Sequence, residues 1–143
     1  MVSTSLCYSR RPRIMAGKII TDQIEHSTAG SLDTQYVVNG SAKAWVNFNG
    51  IGTLAARDSF NVTSLTDNGT GDYTVTYSNS MGNGNYAVNT SANNTVSFYS
   101  LMSSIDTGAG LVLVGSARFF TASSSSAAAD ARTVNFSLFG DLA

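Results

Sequence analysis

A period-2 alternation of apolar and small polar residues constrains the fold of this chain more than any other feature. It is clearest from Lys43 to Phe48, where every second residue is apolar. Such alternation is typical of a strand with one face buried. The pattern recurs in residues 59–63, 73–78, 95–98 and 133–138. The apolar parity, which we expect to face the core, comprises Ala44, Val46, Phe48, Phe60, Val62, Tyr73, Val75, Tyr77, Val96, Phe98, Val134, Phe136 and Leu138.

Turn signals separate these segments. Asn49-Gly50-Ile51-Gly52 and Asp67-Asn68-Gly69-Thr70-Gly71 supply the Asn and Gly residues that tight hairpins need. Ser, Thr and Asn account for 48 of the 143 residues, and these side chains favour turns and the outward positions of strands. Seven or eight short strands at regular spacing predict an all-β fold, an antiparallel, jelly-roll-like β-sandwich over residues 43–143. Ser123–Ala129 is predicted to be a surface loop.

Two features suggest a subunit interface. Leu111, Val112, Leu113 and Val114 are apolar at both parities, so a strand there needs cover on both faces. Trp45 has the parity opposite to the predicted core of its strand, which indicates an interface anchor. Packing in the core and stacking on a sugar ring remain alternatives for Trp45. Only 12% of the residues are charged, so little repulsion separates copies and a homo-oligomer is expected.

The N-terminal region differs from the rest in charge. Four of the eight basic residues, Arg10, Arg11, Arg13 and Lys18, precede residue 19. We interpret residues 1–15 as a flexible basic leader and residues 16–42 as an extended arm that attaches the domain to a larger particle. The candidate anchoring residues are Arg10, Arg11, Arg13, Ile19, Ile20 and Ile24. The remaining chain is acidic, which argues against nucleic-acid binding by the domain.

No pattern of catalytic or metal-binding residues emerges. Cys7 and His26 are the single residues of their types, so neither an intrachain disulfide nor a His-Cys metal cluster can form. Asp67 and Asp72 flank a Gly-rich turn and are interpreted as turn residues, since the spacing of a calcium loop is missing. Arg57 with Asp58, and Arg118 and Arg132 with Asp130, could form ion pairs that fix the register of subunits, and solvated surface positions are the alternative. We therefore expect no enzyme, no cofactor and no membrane insertion.

The stretch from Ala42 to Tyr77 resembles a module of tail-fibre and related structural proteins of tailed bacteriophages, notably those that infect cyanobacteria and other marine bacteria. The resemblance rests on Lys-Ala-Trp-Val-Asn-Phe-Asn-Gly at 43–50, on Arg57 with Ser-Phe-Asn-Val at 59–62, and on Asp-Asn-Gly-Thr-Gly-Asp-Tyr-Thr-Val at 67–75. It covers about a quarter of the chain.

The resemblance implies a β-rich domain that assembles as a homotrimer on the virion, with other virion proteins bound through the arm and a host-surface glycan as a further partner. About 40 residues precede the matched stretch, fewer than an anchor and a long shaft need. A fibre-tip-like or appendage module for host attachment is the first hypothesis. A capsid decoration or cement protein of the same fold is the alternative.

Overall fold

The computed structural model describes residues 21–27, 29–93, 100–105, 112–123 and 125–143. It divides the chain into two compact units, residues 1–34 and 35–143. Strands dominate the described residues, which contain one short helix. The predicted all-β antiparallel sandwich is confirmed.

The first unit contains a β-hairpin. Strand β1 (Gln23–His26) pairs in antiparallel fashion with β2 (Gly30–Asp33), and Thr34 N donates to Asp22 O at 2.9 Å. Helix α1 (Thr34–Gly40) follows and has no buried residue. The predicted arm, over its described residues, is thus a hairpin followed by a single seven-residue helix. A two-stranded hairpin and so short a helix have little stability of their own in water.

The second unit is the sandwich. Its strands are β3 (Ala44–Asn49), β4 (Ala55–Phe60), β5 (Val62–Gly69), β6 (Asp72–Tyr77), β7 (Ala87–Asn93), β8 (Ser100–Ile105), β9 (Val112–Leu113), β10 (Ser116–Ala122) and β11 (Thr133–Phe139). The first sheet has the order β4-β3-β11-β7, and the second has β10-β6-β5 with β9 paired to β10. All of these described pairs are antiparallel.

Two connections join the sheets at their margins. Strand β8 pairs with β7 through Ser100 and Leu101, and with β10 through Met102–Ile105. On the other side, β4 passes into β5 through a single residue, Asn61, whose φ is 54°. Strands that switch sheets at corners of this kind close the margins of a sandwich.

The core lies between the two sheets and is built from the predicted parity. Phe119 of β10 stacks on Phe136 of β11 with ring centroids 5.6 Å apart, and Phe48 meets Tyr73 edge to face at 5.2 Å. The buried hydrophobic residues are Ala44, Val46, Phe48, Tyr73, Val75, Tyr77, Met81, Ala117, Phe119, Ala131, Val134, Phe136 and Leu138. The predicted core faces of β3, β6 and β11 are therefore confirmed.

Phe60 was expected in the core, and this prediction was wrong, because its side chain is 55% exposed. The corner at Asn61 ends β4 directly after Phe60 and starts a strand of the other sheet. Phe60 pairs with Trp45 in the first sheet, while Val62 pairs with Tyr77 in the second. The alternating segment 59–63 therefore contains the end of one strand and the start of another, and the two strands belong to different sheets. Val96 and Phe98 lie outside the described residues.

Candidate functional site

Trp45 lies on the outer face of the first sheet, as its parity predicts. Its burial is intermediate, whereas its neighbours Ala44 and Val46 face the core. In the sheet register Trp45 is flanked by Phe60 of β4 and Ser137 of β11. Directly opposite residues on one face have Cβ atoms about 5 Å apart. A tryptophan and a largely exposed phenylalanine therefore stand side by side on this surface.

A ladder of side-chain amides and a hydroxyl forms the next row of the same face. Asn47 Nδ2 donates to Asn135 Oδ1 at 2.5 Å, and Asn135 Nδ2 donates to Ser91 Oγ at 3.1 Å. The ladder crosses β3, β11 and β7 and is exposed to solvent. We call Trp45, Phe60, Asn47, Asn135 and Ser91 the aromatic-amide face.

Arg57 braces one end of this ladder. Its Nη1 donates to Asn47 Oδ1 at 3.2 Å and to Phe48 O at 3.0 Å, and its Nη2 donates to Arg132 O at 2.6 Å. The guanidinium is thus used in fixing the edge strand β4 and the segment that leads into β11. The neighbouring Asp58 accepts a hydrogen bond from Ser59 N at 2.8 Å.

A second surface lies at the end of the sandwich where α1 joins it. Six apolar residues there are largely exposed, and we call them the apolar end: Tyr36, Val37, Val38, Leu113, Val114 and Leu142. The most exposed of them are Tyr36, at 62%, and Val38, at 59%. Exposed apolar residues that gather at one place on a protein are typical of association surfaces.

Hydrogen bonds link the parts of the apolar end. Lys43 Nζ donates to Val38 O, and Asn61 Nδ2 donates to Lys43 O at 2.9 Å and to Asn79 O at 3.2 Å. Further along, Met81 N donates to Val114 O at 2.7 Å and Met81 forms an antiparallel bridge with Leu142. The helix, the β9 turn and the last residues of the chain therefore meet at one end.

A pair of tyrosines, Tyr77 buried and Tyr86 partly buried, positions the β9 turn. Tyr77 Oη and Tyr86 Oη are 3.1 Å apart, and Tyr86 Oη donates to Leu113 O at 2.8 Å. Phenols are protonated at neutral pH and can donate, and burial raises the pKa of both groups further. Leu113 and Val114 are consequently presented on a fixed turn.

The predicted interface residues are thus divided between two surfaces. Trp45 lies on the outer face of the first sheet, whereas Val112 and Leu113 extend the second sheet. Leu111 lies outside the described residues, as do Arg10, Arg11, Arg13, Ile19 and Ile20. Ile24 lies in β1 and is about half exposed.

The second sheet carries an ion pair on its outer face that sequence reasoning missed. Arg118 Nε donates to Asp72 Oδ1 at 2.8 Å and Nη2 binds Oδ2, a bidentate arrangement. The hydrogen bond from Arg118 lowers the pKa of Asp72 below its ordinary value. The pairing expected for Asp130 is not the observed one, because that carboxylate accepts from Gly71 N at 2.7 Å and from Tyr73 Oη at 3.0 Å.

A cleft of about 230 Å³ opens where the edge strands β4 and β5 diverge. Leu54, Val62 and Leu65 form its apolar lining, with Ser59 and Thr63 at its polar margin. Within the described part of the chain, no cluster of three or more His, Cys, Asp or Glu side chains is present. The described helix is also too short to cross a membrane.

Comparisons of this chain with protein-family models, with curated proteins and with solved structures gave no match.

Proposed function

We propose that this protein is a structural component of a bacteriophage particle, a homotrimeric, non-enzymatic module that attaches through its N-terminal side and contacts the host surface. The observation that carries the proposal is the concentration of exposed apolar side chains at the end where α1 enters the sandwich. The resemblance of residues 42–77 to a tail-fibre module supports the same assignment.

Little charge repulsion opposes self-association at the apolar end. The six side chains of the apolar end carry no formal charge, the neighbouring Lys43 Nζ is bonded to Val38 O, and only 12% of all residues are charged. Copies of such a surface repel one another weakly, and burying it removes apolar area from water. In a closed, symmetric trimer whose subunits meet at the apolar end, the turn at Asn49–Gly52 and the loop at 125–132 would lie at the opposite end of each sandwich.

The assembly surface is tested with the full chain by light scattering after gel filtration. We expect a mass three times the 15.0 kDa of one chain. Leu113→Asp should lower this mass at micromolar concentration, because a buried unpaired carboxylate costs several kcal/mol. Leu113 is half exposed, so the variant should remain folded, which a thermal melt measures. Ala127→Asp, which places the same charge on an exposed loop, is the matched control and should remain trimeric. A wild-type monomer, or an unchanged mass for Leu113→Asp, would contradict this surface.

The place of the protein on the particle is tested by its copy number relative to the major capsid protein, measured by quantitative mass spectrometry of purified virions. A few trimers per particle at the tail are expected. Hundreds of copies on the shell would contradict host attachment and indicate a decoration protein.

A further inference from the structure

We infer that the aromatic-amide face binds neutral saccharides, with a sugar ring stacked on Trp45 and its hydroxyl groups bonded to the amide ladder. The inference deepens the host-contact part of the proposed function and rests on it for the natural source of the saccharide. The binding itself can be measured without any particle.

The spacing of the aromatic residues and the amides on this face suits a sugar ring. Trp45 and Phe60 are directly opposite one another across β3 and β4, and Asn47 lies two residues further along β3. Two residues of strand span about 7 Å. A ring that lies against Trp45 therefore places its edge, or the next ring of a chain, over Asn47 and Asn135.

The amide ladder retains hydrogen-bonding groups that can bind a ligand. An asparagine amide has two N–H donors and a carbonyl acceptor, and each bond of the ladder uses one donor. Asn135 is exposed, and Ser91 adds a hydroxyl at the far end. The ladder thus offers donors and acceptors in alternation, which suits the hydroxyl groups of a sugar. Because the amides already hold one another in place, little side-chain freedom is lost on binding.

The charges beside the aromatic-amide face balance one another. Arg57 and Asp58 border the face with opposite formal charges, and both are engaged in hydrogen bonds of the protein itself. The face therefore has no net charge with which to select an acidic ligand. A protein partner fits less well, because standard interfaces have an apolar centre and bury about 800 Å² per partner. Here two aromatic residues occupy one corner of a surface that is otherwise amide and hydroxyl.

The experiment uses the fact that Trp45 is the single tryptophan of the chain, so its fluorescence reports on this face alone. The probes are the neutral α- or β-linked oligosaccharides maltohexaose, cellohexaose and mannohexaose, with polygalacturonate as an acidic comparator. At least one neutral probe should shift the emission to shorter wavelength and protect Trp45 from acrylamide, with a Kd on the order of 1 mM or tighter.

Variants then test which residues bind the saccharide. Their binding is measured by calorimetry, because Trp45→Ala removes the fluorophore. Trp45→Ala should weaken binding at least about tenfold, and Asn135→Ala about threefold to tenfold. Phe120→Ala, which removes an aromatic ring from the outer face of the second sheet, is the matched control and should bind as wild type does. Thermal melts establish that each variant is folded.

Four results would overturn the inference: no binding of any neutral probe, binding that survives Trp45→Ala, binding of polygalacturonate alone, or a drop in oligomer mass with Trp45→Ala. The last of these would assign Trp45 to the subunit interface instead. Saccharide binding by a protein absent from virions would contradict the proposed function while leaving the inference standing.

Discussion

At the scale of single residues, the pair formed by Asp72 and Arg118 is the clearest case of a side chain whose role depends on tertiary structure. Asp72 begins β6 and is 9% exposed, so its carboxylate needs the guanidinium beside it. Asn68 Nδ2 adds a hydrogen bond to Asp72 Oδ1 at 3.3 Å. Because the pKa of Asp72 is lowered, the stabilisation that this ion pair contributes depends on pH.

The sign of the pH dependence follows from the direction of the pKa shift. A carboxyl group with a lowered pKa in the folded state stabilises the protein above its unfolded pKa, near 3.8 here. This stabilisation is lost as the pH falls from 3.8 through the folded value. Asp72→Asn should therefore lower the free energy of unfolding by about 1 kcal/mol at pH 7, with the difference shrinking below pH 3.8. Urea unfolding at a series of pH values measures it, and a difference that stays constant down to pH 2 would contradict the assignment.

The glycines have two different structural roles. Gly52, Gly69 and Gly71 have φ values of 70°, 140° and 67°, as the prediction of turn glycines requires. Gly50 has another role, because a Cβ atom there would collide with the Tyr73 hydroxyl and Ala131 O. Tyr73 is 23 positions away in the sequence, so local turn chemistry gives no sign of this close approach.

At the scale of elements, the corner between β4 and β5 decides how the two sheets are joined. Asn61 holds a φ of 54°, which costs an L-residue about 1–2 kcal/mol. Its amide offsets that cost through bonds to Lys43 O at 2.9 Å and from Asn79 N at 2.7 Å. The side chain therefore links the start of β3, the corner and the segment after β6.

The corner yields a prediction in which two substitutions are ordered. Asn61→Gly loses the amide contacts but accepts the positive φ, while Asn61→Ala loses the contacts and retains the strain. We expect losses in the free energy of unfolding of about 1 and about 3 kcal/mol respectively. Ser126→Gly is the control, because Ser126 has a similar φ of 62° in an exposed loop and should change stability by less than about 0.5 kcal/mol. Equal losses for the two Asn61 variants would show that the φ of Asn61 is not strained.

Sequence reasoning succeeded where a strand stays in one sheet. Alternation in β3, β6 and β11 predicted the buried parity, because period 2 directly reflects which face is covered. It failed at Phe60, where one positive-φ residue moves the chain to the other sheet without interrupting the pattern. In the candidate site, parity alone predicted that Trp45 lies on the outer face. The contact between Asn47 and Asn135 could not be predicted in this way, because the two residues are 88 positions apart and only strand pairing brings them together.

At the scale of the whole molecule, the sandwich unit should unfold as one body. Phe136 of the first sheet contacts Phe119 and Tyr77 of the second, and both margins are joined by continuous backbone. Neither sheet can keep its buried face covered after the other has opened. Domains of this size have a total stability of about 5–15 kcal/mol, so the loss of one central ring is a large fraction of it.

Phe136→Ala should accordingly destabilise both sheets equally, by about 3–5 kcal/mol. Amide hydrogen exchange measures this residue by residue, with Val46 reporting on the first sheet and Val75 on the second. The two amides should exchange with the same opening free energy in the wild type, and both should lose the same amount in the variant at matched protein concentration. Phe120→Ala, on the outer face of the second sheet, should cost about 1 kcal/mol or less. If Val46 lost protection while Val75 kept it, the two sheets would be separate folding units, and the shared aromatic core would not be what holds the sandwich together.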